Sequence, residues 1–318
     1  MNISVPSAIG FSFVFILGTL IGSFLNVVIY RLPQTLLAQA EWDDSEEEIE
    51  IPSSFGARFI WGLKYVAADI GWAGLYLFKE FPKEFWQSLK SISFPASQCP
   101  SCKNAIAWYD NVPVFSWFML GGKCRNCQTP ISIRYPLIEI LTAVLSIFTA
   151  YHFGLTIQLF PALLFTWALI ALTMIDYDQQ ILPDNITLPF LWLGLLLNLQ
   201  NLYCTLPEAI LGASLGYITL WSLYWIFKLT TGKEGMGYGD FKLLAMLGAW
   251  IGIKGLLPII LFSSLIGAIL GITLVLLKKH QKDVPIPFGP FLASAGWIVF
   301  LYGDKITNYY FAFSGISA

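Results

Sequence analysis

Residues 157–178 read IQLFPALLFTWALIALTMIDYD. From Ile157 to Ile175 no side chain is charged, and then Asp176 and Asp178 follow at once. About 20 mainly apolar residues cross the roughly 30 Å of bilayer hydrocarbon as a helix, so this run reads as a membrane span that ends on a carboxyl group. A carboxylate near the bilayer centre costs about 2.5 to 3.5 kcal/mol on insertion scales, and a carboxyl kept at a membrane edge invites an acid-base reading. Asp240, in Gly237-Tyr238-Gly239-Asp240, opens another apolar segment. Two such groups suggest peptide-bond hydrolysis at a membrane.

The rest of the chain agrees with that reading. Its 318 residues are 56% hydrophobic and 12% charged, with mean hydropathy +0.66, against roughly 25% charged residues in soluble domains. An all-α polytopic membrane protein follows, with about eight transmembrane helices near residues 8–30, 136–153, 157–175, 186–202, 208–227, 241–253, 256–277 and 291–302. The sixth and eighth are short and lean on buried neighbours. The first is not a removable signal peptide, because no basic region precedes it and no small-residue cleavage site follows. Its Gly18, Gly22, Ser23 and Asn26 suit close helix packing and one interhelical hydrogen bond.

Basic residues set the orientation. With the N-terminus outside, the loop between the first two spans and the later inward loops hold all but Lys254 and Lys305 of the 18 lysines and arginines. Asp176 and Asp240 then both emerge on the cytoplasmic face. Within the loop, Glu41 to Glu50 is an acidic run, read as solvated chain or as an attractant for basic substrate segments. Residues 59–78 are aromatic but carry Lys64 and Asp69, which fits a helix lying in the interface better than one crossing it.

Cys99-Pro100-Ser101-Cys102 and Cys124-Arg125-Asn126-Cys127 are separated by 21 residues. Two C-x-x-C hairpins can present four thiolates to one tetrahedral Zn²⁺. Disulfides or a redox pair are the alternatives, but a cytoplasmic loop is a reducing place. The expected metal ligands are therefore Cys99, Cys102, Cys124 and Cys127, in a closed structural site that leaves no position for a reacting water. Cys204 reads as an unpaired small hydrophobe.

Amide hydrolysis by two carboxyls needs one ionised, to deprotonate water, and one protonated, to donate to the carbonyl oxygen. Asp240 stands where a helix begins, where free N–H groups favour the charged form. Asp176 stands where a helix ends, where the carbonyl end of the dipole disfavours charge. The expectation is one proton shared by the dyad, more often on Asp176, with Asp240 as the base and the roles open to exchange. Gly237 and Gly239 allow positive φ and a close backbone approach, leaving room for an extended peptide. Asp184 reads as a helix cap, Asp178 as a solvated loop residue, and Glu139 as a favourable charge at a helix N-terminus.

Taken together, Cys99-x-x-Cys102, Cys124-x-x-Cys127, Asp176 and Gly237-Tyr238-Gly239-Asp240 resemble the bacterial type IV prepilin peptidases, the leader peptidase/N-methyltransferases. So do Gly22 to Pro33, Arg134-Tyr135-Pro136, Lys233 to Lys242, and Pro287-Phe288-Gly289-Pro290. The resemblance covers almost the whole chain. It implies an aspartic endopeptidase of the Gly-x-Gly-Asp type in the bacterial inner membrane, with Asp176 and Asp240 as its catalytic pair. Its substrates would be prepilins and pseudopilins, each a short basic leader followed by an apolar helix, supplied to a type IV pilus or type II secretion assembly machinery. It also implies methylation of the new N-terminus from S-adenosylmethionine, an activity linked to the cysteine loop. No glycine-rich nucleotide fingerprint is present, and Gly122 is the best single candidate for that second activity. The lipid bilayer is the other partner, and no nucleic acid is expected. The expected domains are a first helix (1–30), a cytoplasmic loop with an acidic and interfacial insertion and the zinc module (31–135), and a seven-helix peptidase core (136–318). The insertion, about residues 34–98, exceeds what the resemblance accounts for. The rival classes are a non-enzymatic assembly factor with a zinc docking loop and a proton-coupled transporter. A transporter predicts midplane aspartates and an internal repeat.

Overall fold

The computed structural model describes residues 8–43, 81–93, 96–233, 235–276 and 287–314. The expected interfacial segment at 59–78 and most of the acidic run lie outside the described residues. Among the described residues the secondary structure is helical, with two isolated β-bridges. Five helices are long and apolar enough to cross a membrane, and a shorter apolar stretch covers Gly289–Gly303.

The described residues fall into two compact units. One is formed from Met1–Thr35 with Ser88–Ala171, the other from Leu36–Gln87 with Leu172–Ala318. This grouping puts residues 8–35 of the first helix with the cysteine loop and the helix after it.

In the first unit, α1 (Ala8–Asp43) runs well past residue 30, where the first span was expected to end. Pro33 lacks the N–H that would bond the Ile29 carbonyl, yet no helix-stopping glycine follows, and the good helix formers from Gln34 to Ala40 continue the helix. Helix α2 (Phe81–Ser93) is amphipathic and was not foreseen. Arg31 ties its end to α1 by donating from Nη1 to the Ser91 and Ile92 carbonyls at 3.3 and 3.1 Å. Next come a 3₁₀ turn (Trp108–Asn111), the short α3 (Phe115–Met119) and α4 (Arg134–Phe153). Gly18 and Gly22 of α1 let the two backbones touch, since a Cβ on either would come within 2.6 Å of the Cα of Ala143 or Glu139. Asn26 Nδ2 donates to the Tyr135 carbonyl at 3.2 Å. The small-residue packing expected of α1 is therefore present, and so is an interhelical hydrogen bond from Asn26. Helix α5 (Leu159–Gln179) joins α4 through Trp167 Nε1, which donates to the Ser146 hydroxyl at 2.9 Å.

The second unit takes the last turns of α5, then α6 (Asp184–Asn198), α7 (Leu206–Thr231), α8 (Tyr238–Ile251), α9 (Ile253–Leu276) and α10 (Gly289–Ser314). Helix α8 is at its centre, touching α6, α7, α9 and α10. Every residue from Asp240 to Trp250 except Lys242 is buried, so a helix of 14 residues can sit among apolar neighbours without spanning the bilayer itself. Glycines permit this. Gly212 of α7 and Gly248 of α8 meet backbone to backbone, and Gly194 of α6 admits the Trp250 indole, whose Nε1 donates to the Phe190 carbonyl at 2.7 Å.

Candidate functional site

Asp176 lies in the last turn of α5, which closes as the Gln180 N–H donates to the Asp176 carbonyl at 2.9 Å. Gln180 takes φ +56° there and turns the chain out of the helix. Asp240 lies in the first turn of α8, whose N-cap is Gly237. Both carboxyls are buried, and they are near enough to interact charge on charge. The structure thus brings together the two aspartates read from the sequence, one at a helix end and one at a helix start.

Two contacts bring the start of α8 to the connection after α5. A Cβ on Gly239 would lie 2.8 Å from Leu182 Cβ, so α8 can approach only because residue 239 has no side chain. Lys242, two residues after Asp240, pairs with Asp184 at 2.7 Å. Asp184 is the first residue of α6, preceded by Pro183 as N-cap, so it is an ion-pair partner and not the cap that was expected. An aromatic wedge backs the same turn. Tyr224 of α7 contacts the rings of Tyr238 and Phe241 at 5.2 and 5.6 Å, and buried Lys228 donates to the Tyr224 hydroxyl at 2.8 Å.

The glycines act differently from the expectation. Gly237 has φ −83°, and neither it nor Gly239 is among the positive-φ glycines. Extended backbone satisfies the N-cap at 237 because the chain enters α8 directly. Gly239 serves close approach, while a Cβ on Gly237 would meet nothing within 4 Å.

Gly289, at the start of α10, belongs to the Pro287-Phe288-Gly289-Pro290 stretch quoted from the sequence, but its direct bond to the dyad was not foreseen. Its N–H donates to Asp176 Oδ2 at 3.0 Å, and a Cβ there would lie 2.6 Å from that oxygen. The available signal was a Gly-Pro pair just ahead of an apolar run. Asp178 is exposed and Glu139 is buried. Glu139 Oε2 accepts the Val114 N–H at 2.7 Å, a specific contact beyond the generic helix-terminus role.

In the other unit, the cysteine pairs form two matching turns. Cys99 N–H donates to the Asn104 carbonyl and Cys124 N–H to the Thr129 carbonyl, both at 2.9 Å. The residue after each second cysteine, Lys103 or Gln128, takes φ near +58° or +59°. All four Sγ atoms lie within 4.8 Å of one another, and Cys99 and Cys127 are 3.7 Å apart. Tetrahedral Zn–S bonds of about 2.3 Å require S···S separations of about 3.8 Å, so the donor set fits zinc. The Thr129 hydroxyl beside Cys127 pulls that thiol down to about 6, toward the thiolate a metal needs. Cys204 belongs to a different setting, where burial pushes its thiol up to about 11 and leaves it unreactive. A Cys102→Ser/Cys124→Ser variant is expected to lose the roughly one zinc per chain that four thiolates hold. Its loop, about residues 98–131, should become protease-sensitive. Metal analysis and limited proteolysis check this, and unchanged zinc content would exclude the site.

Gly122 adopts φ +67° between these turns. Its N–H bonds the Trp117 carbonyl at 2.8 Å, its carbonyl accepts from Ile131 at 2.7 Å, and a Cβ would lie 2.9 Å from the Trp117 ring. Both backbone groups are used within the loop. Any influence of Gly122 on a bound molecule would therefore pass through loop shape.

Comparison with known proteins covers both units. The family described as Bacterial Peptidase A24 N-terminal domain matches residues 16–153, and the one described as Type IV leader peptidase family matches residues 163–272. The chain is 48% identical to a prepilin leader peptidase/N-methyltransferase of Aeromonas hydrophila over 300 residues, 94% of this chain and 93% of that protein. Proteins of the same name from Pseudomonas aeruginosa and Xanthomonas campestris are 47% and 44% identical, covering 94% of this chain and 93% and 94% of their own lengths. No solved structure matches.

Proposed function

Since the chain belongs to the type IV leader peptidase family, we propose that it is a membrane aspartic endopeptidase and N-methyltransferase of prepilins, with Asp176 and Asp240 as its catalytic pair. The observation that carries the assignment is the burial of two interacting carboxyls at adjoining helix ends. One ionised carboxyl takes a proton from water as the oxygen attacks the scissile carbonyl, and the other donates its proton to the carbonyl oxygen. As the tetrahedral intermediate collapses, the C–N bond breaks, a dyad proton passes to the departing amine, and one hydroxyl of the gem-diol returns its proton to the dyad as the carboxyl product forms. The pair starts the next cycle with one proton again. Asp240, beside the Gly237 N–H, and Asp176, beside the Gly289 N–H, each have a backbone donor, so the proton is best described as the pair's.

The inner membrane is the expected location, with the pair at the cytoplasmic face. This rests on the charge asymmetry of the loops. The scissile bond of a precursor with a basic leader and an apolar helix would lie at that level, and the enzyme need not extract it from lipid. The partners are prepilins or pseudopilins and, through them, a pilus or type II secretion machinery.

The four cysteines would hold a structural zinc that braces the loop between α2 and α4. S-adenosylmethionine, when bound, would supply the methyl group for the new amine. Gly122 is proposed as a positioning residue for that activity. The supporting observation is that its turn carries Trp117 and hands directly on to Lys123 and Cys124. To test the whole reading, purified protein is mixed with a prepilin with and without S-adenosylmethionine, and product masses are read. Loss of the leader in both samples, and one added methyl only with the donor, is expected; an intact precursor in both would refute the reading.

A further inference from the structure

Glu139 is buried in α4, a helix long and apolar enough to cross the membrane, and the cleavage reaction above does not use it. An ionisable group in such a place is costly to keep and points to a function. Its carboxyl makes two contacts within the first unit. Oε2 accepts the Val114 N–H at 2.7 Å, and the Ser23 hydroxyl of α1 donates to the same side chain. Its backbone is held by α1, which comes this close only because Gly22 has no side chain.

Val114 is an unusual partner, with φ +58° and ψ −53°. A β-branched residue rarely takes a positive φ, and such backbone persists only where its surroundings hold it. The bond from its N–H to a buried carboxyl supplies that hold. Val114 is also the N-cap of α3, so it sets the direction in which α3 leaves. Helix α3 is joined in turn to the second cysteine turn. Trp117 Nε1 donates to the Ile131 carbonyl at 3.1 Å, the Gly122 N–H donates to the Trp117 carbonyl at 2.8 Å, and the Lys123 N–H donates to the Leu120 carbonyl at 3.2 Å. Residues 115–131 therefore form one block. It is attached to α4 twice, by the chain that enters the helix at Arg134 and by the Glu139–Val114 bond. The first attachment alone would leave a swivel.

We propose that Glu139 is a positioning residue for methyl transfer, fixing the orientation of the cysteine loop against α1 and α4 through the Val114 amide. The proposal rests on the two-activity reading above. A substrate whose apolar helix lies in lipid presents its new amine at a fixed height, so the loop that serves it must be held at a fixed height too. Methyl transfer joins the amine nitrogen to the methyl carbon as the donor's C–S bond breaks, the electron pair staying on sulfur and a proton leaving the nitrogen for water. Misplacing the reacting groups by about 1 Å costs on the order of 10²-fold. Leader cleavage belongs to carboxyls of the other unit and does not need this bond.

The experiment uses the full chain in lipid nanodiscs as wild type, Glu139→Gln, Glu139→Leu and Glu139→Leu/Val114→Gly. Four quantities are read on each: leader cleavage without donor, methylation of an already cleaved pilin with S-adenosylmethionine, zinc content, and hydrogen exchange over residues 115–131 without donor. Glu139→Gln, whose amide oxygen still accepts the Val114 N–H, should stay within about twofold of wild type. Glu139→Leu should lower methylation by at least about tenfold and speed exchange over the block, with cleavage and zinc unchanged. Adding Val114→Gly should recover most of both losses, because glycine takes a positive φ without help. Should Glu139→Leu not fold, Glu139→Asp replaces it, keeping a buried carboxyl that is one methylene too short to reach Val114. Methylation and exchange that do not move would overturn the proposal. So would zinc or cleavage lost along with methylation, which would make Glu139 a residue of the fold at large, and so would a double variant no better than the single one. Wild type that cleaves but never methylates would instead remove the two-activity reading itself.

Discussion

Asp176→Asn and Asp240→Asn are each expected to lower leader cleavage by at least about 10³-fold in kcat/KM, the range that general acid-base catalysis supplies. Asparagine keeps the shape of the side chain and removes the exchangeable proton and the charge. The helices should be undisturbed. Gly289 can still donate to an amide oxygen at residue 176, and the Lys242–Asp184 pair, which anchors the start of α8, is untouched. Cleavage, zinc content and thermal unfolding should be measured on the same samples. A docking protein with structural aspartates would process precursor normally at wild-type zinc content. Retained cleavage in either variant would therefore end the dyad assignment.

Gly289→Ala should come next in size, with cleavage falling on the order of 10²-fold, because displacing a catalytic group by about 1 Å costs that much. The added Cβ would lie 2.6 Å from Asp176 Oδ2 and 3.0 Å from Cγ. The carboxyl must rotate away or α10 must shift, and either change lengthens the Gly289 N–H bond now at 3.0 Å. The loss should appear mainly in kcat, since the substrate's binding surface is not the part displaced. Gly237→Ala is the contrast. Residue 237 has an ordinary extended backbone and nothing within 4 Å of a new Cβ, so the protein should melt as wild type does. Wild-type kcat in Gly289→Ala would show that Asp176 needs neither the N–H nor the space beside it.

Much of this site was legible because hydropathy and charge are local properties. An uncharged run from Ile157 to Ile175 can be recognised without knowing its neighbours, and so can the carboxyl that ends it. The cysteine pairs were legible because a C-x-x-C turn is built by adjacent residues, and the structure gives both pairs matching turns with their sulfurs within 4.8 Å. Gly18, Gly22 and Asn26 were legible through a rule of spacing on one helix face. Other features were not. The end of α1 was not legible because Pro33 reads as a stop although helix formers follow it, and α2 was hidden by its weak average hydropathy. Asp184 reads as a cap in one dimension because its partner Lys242 is 58 residues away. Gly237 and Gly239 invited a positive-φ reading, yet glycine at 239 answers to Leu182, a contact that hydropathy and spacing do not reveal.

By itself the amino-acid order determined the membrane-helical class, the two ligand turns, and two carboxyls at opposite kinds of helix end. Each of these follows from interactions among neighbours or from transfer to lipid, which are additive along a chain. Only the tertiary structure decided that the Gly289 amide, 113 residues beyond Asp176, would hold that carboxyl, and that Gly239 would clear the way for Asp240. It also decided that α8 would be enclosed on nearly all sides. Close packing makes the difference: whether an oxygen has an N–H at 3.0 Å depends on several helices meeting at once, and no pattern within any one helix encodes that distance.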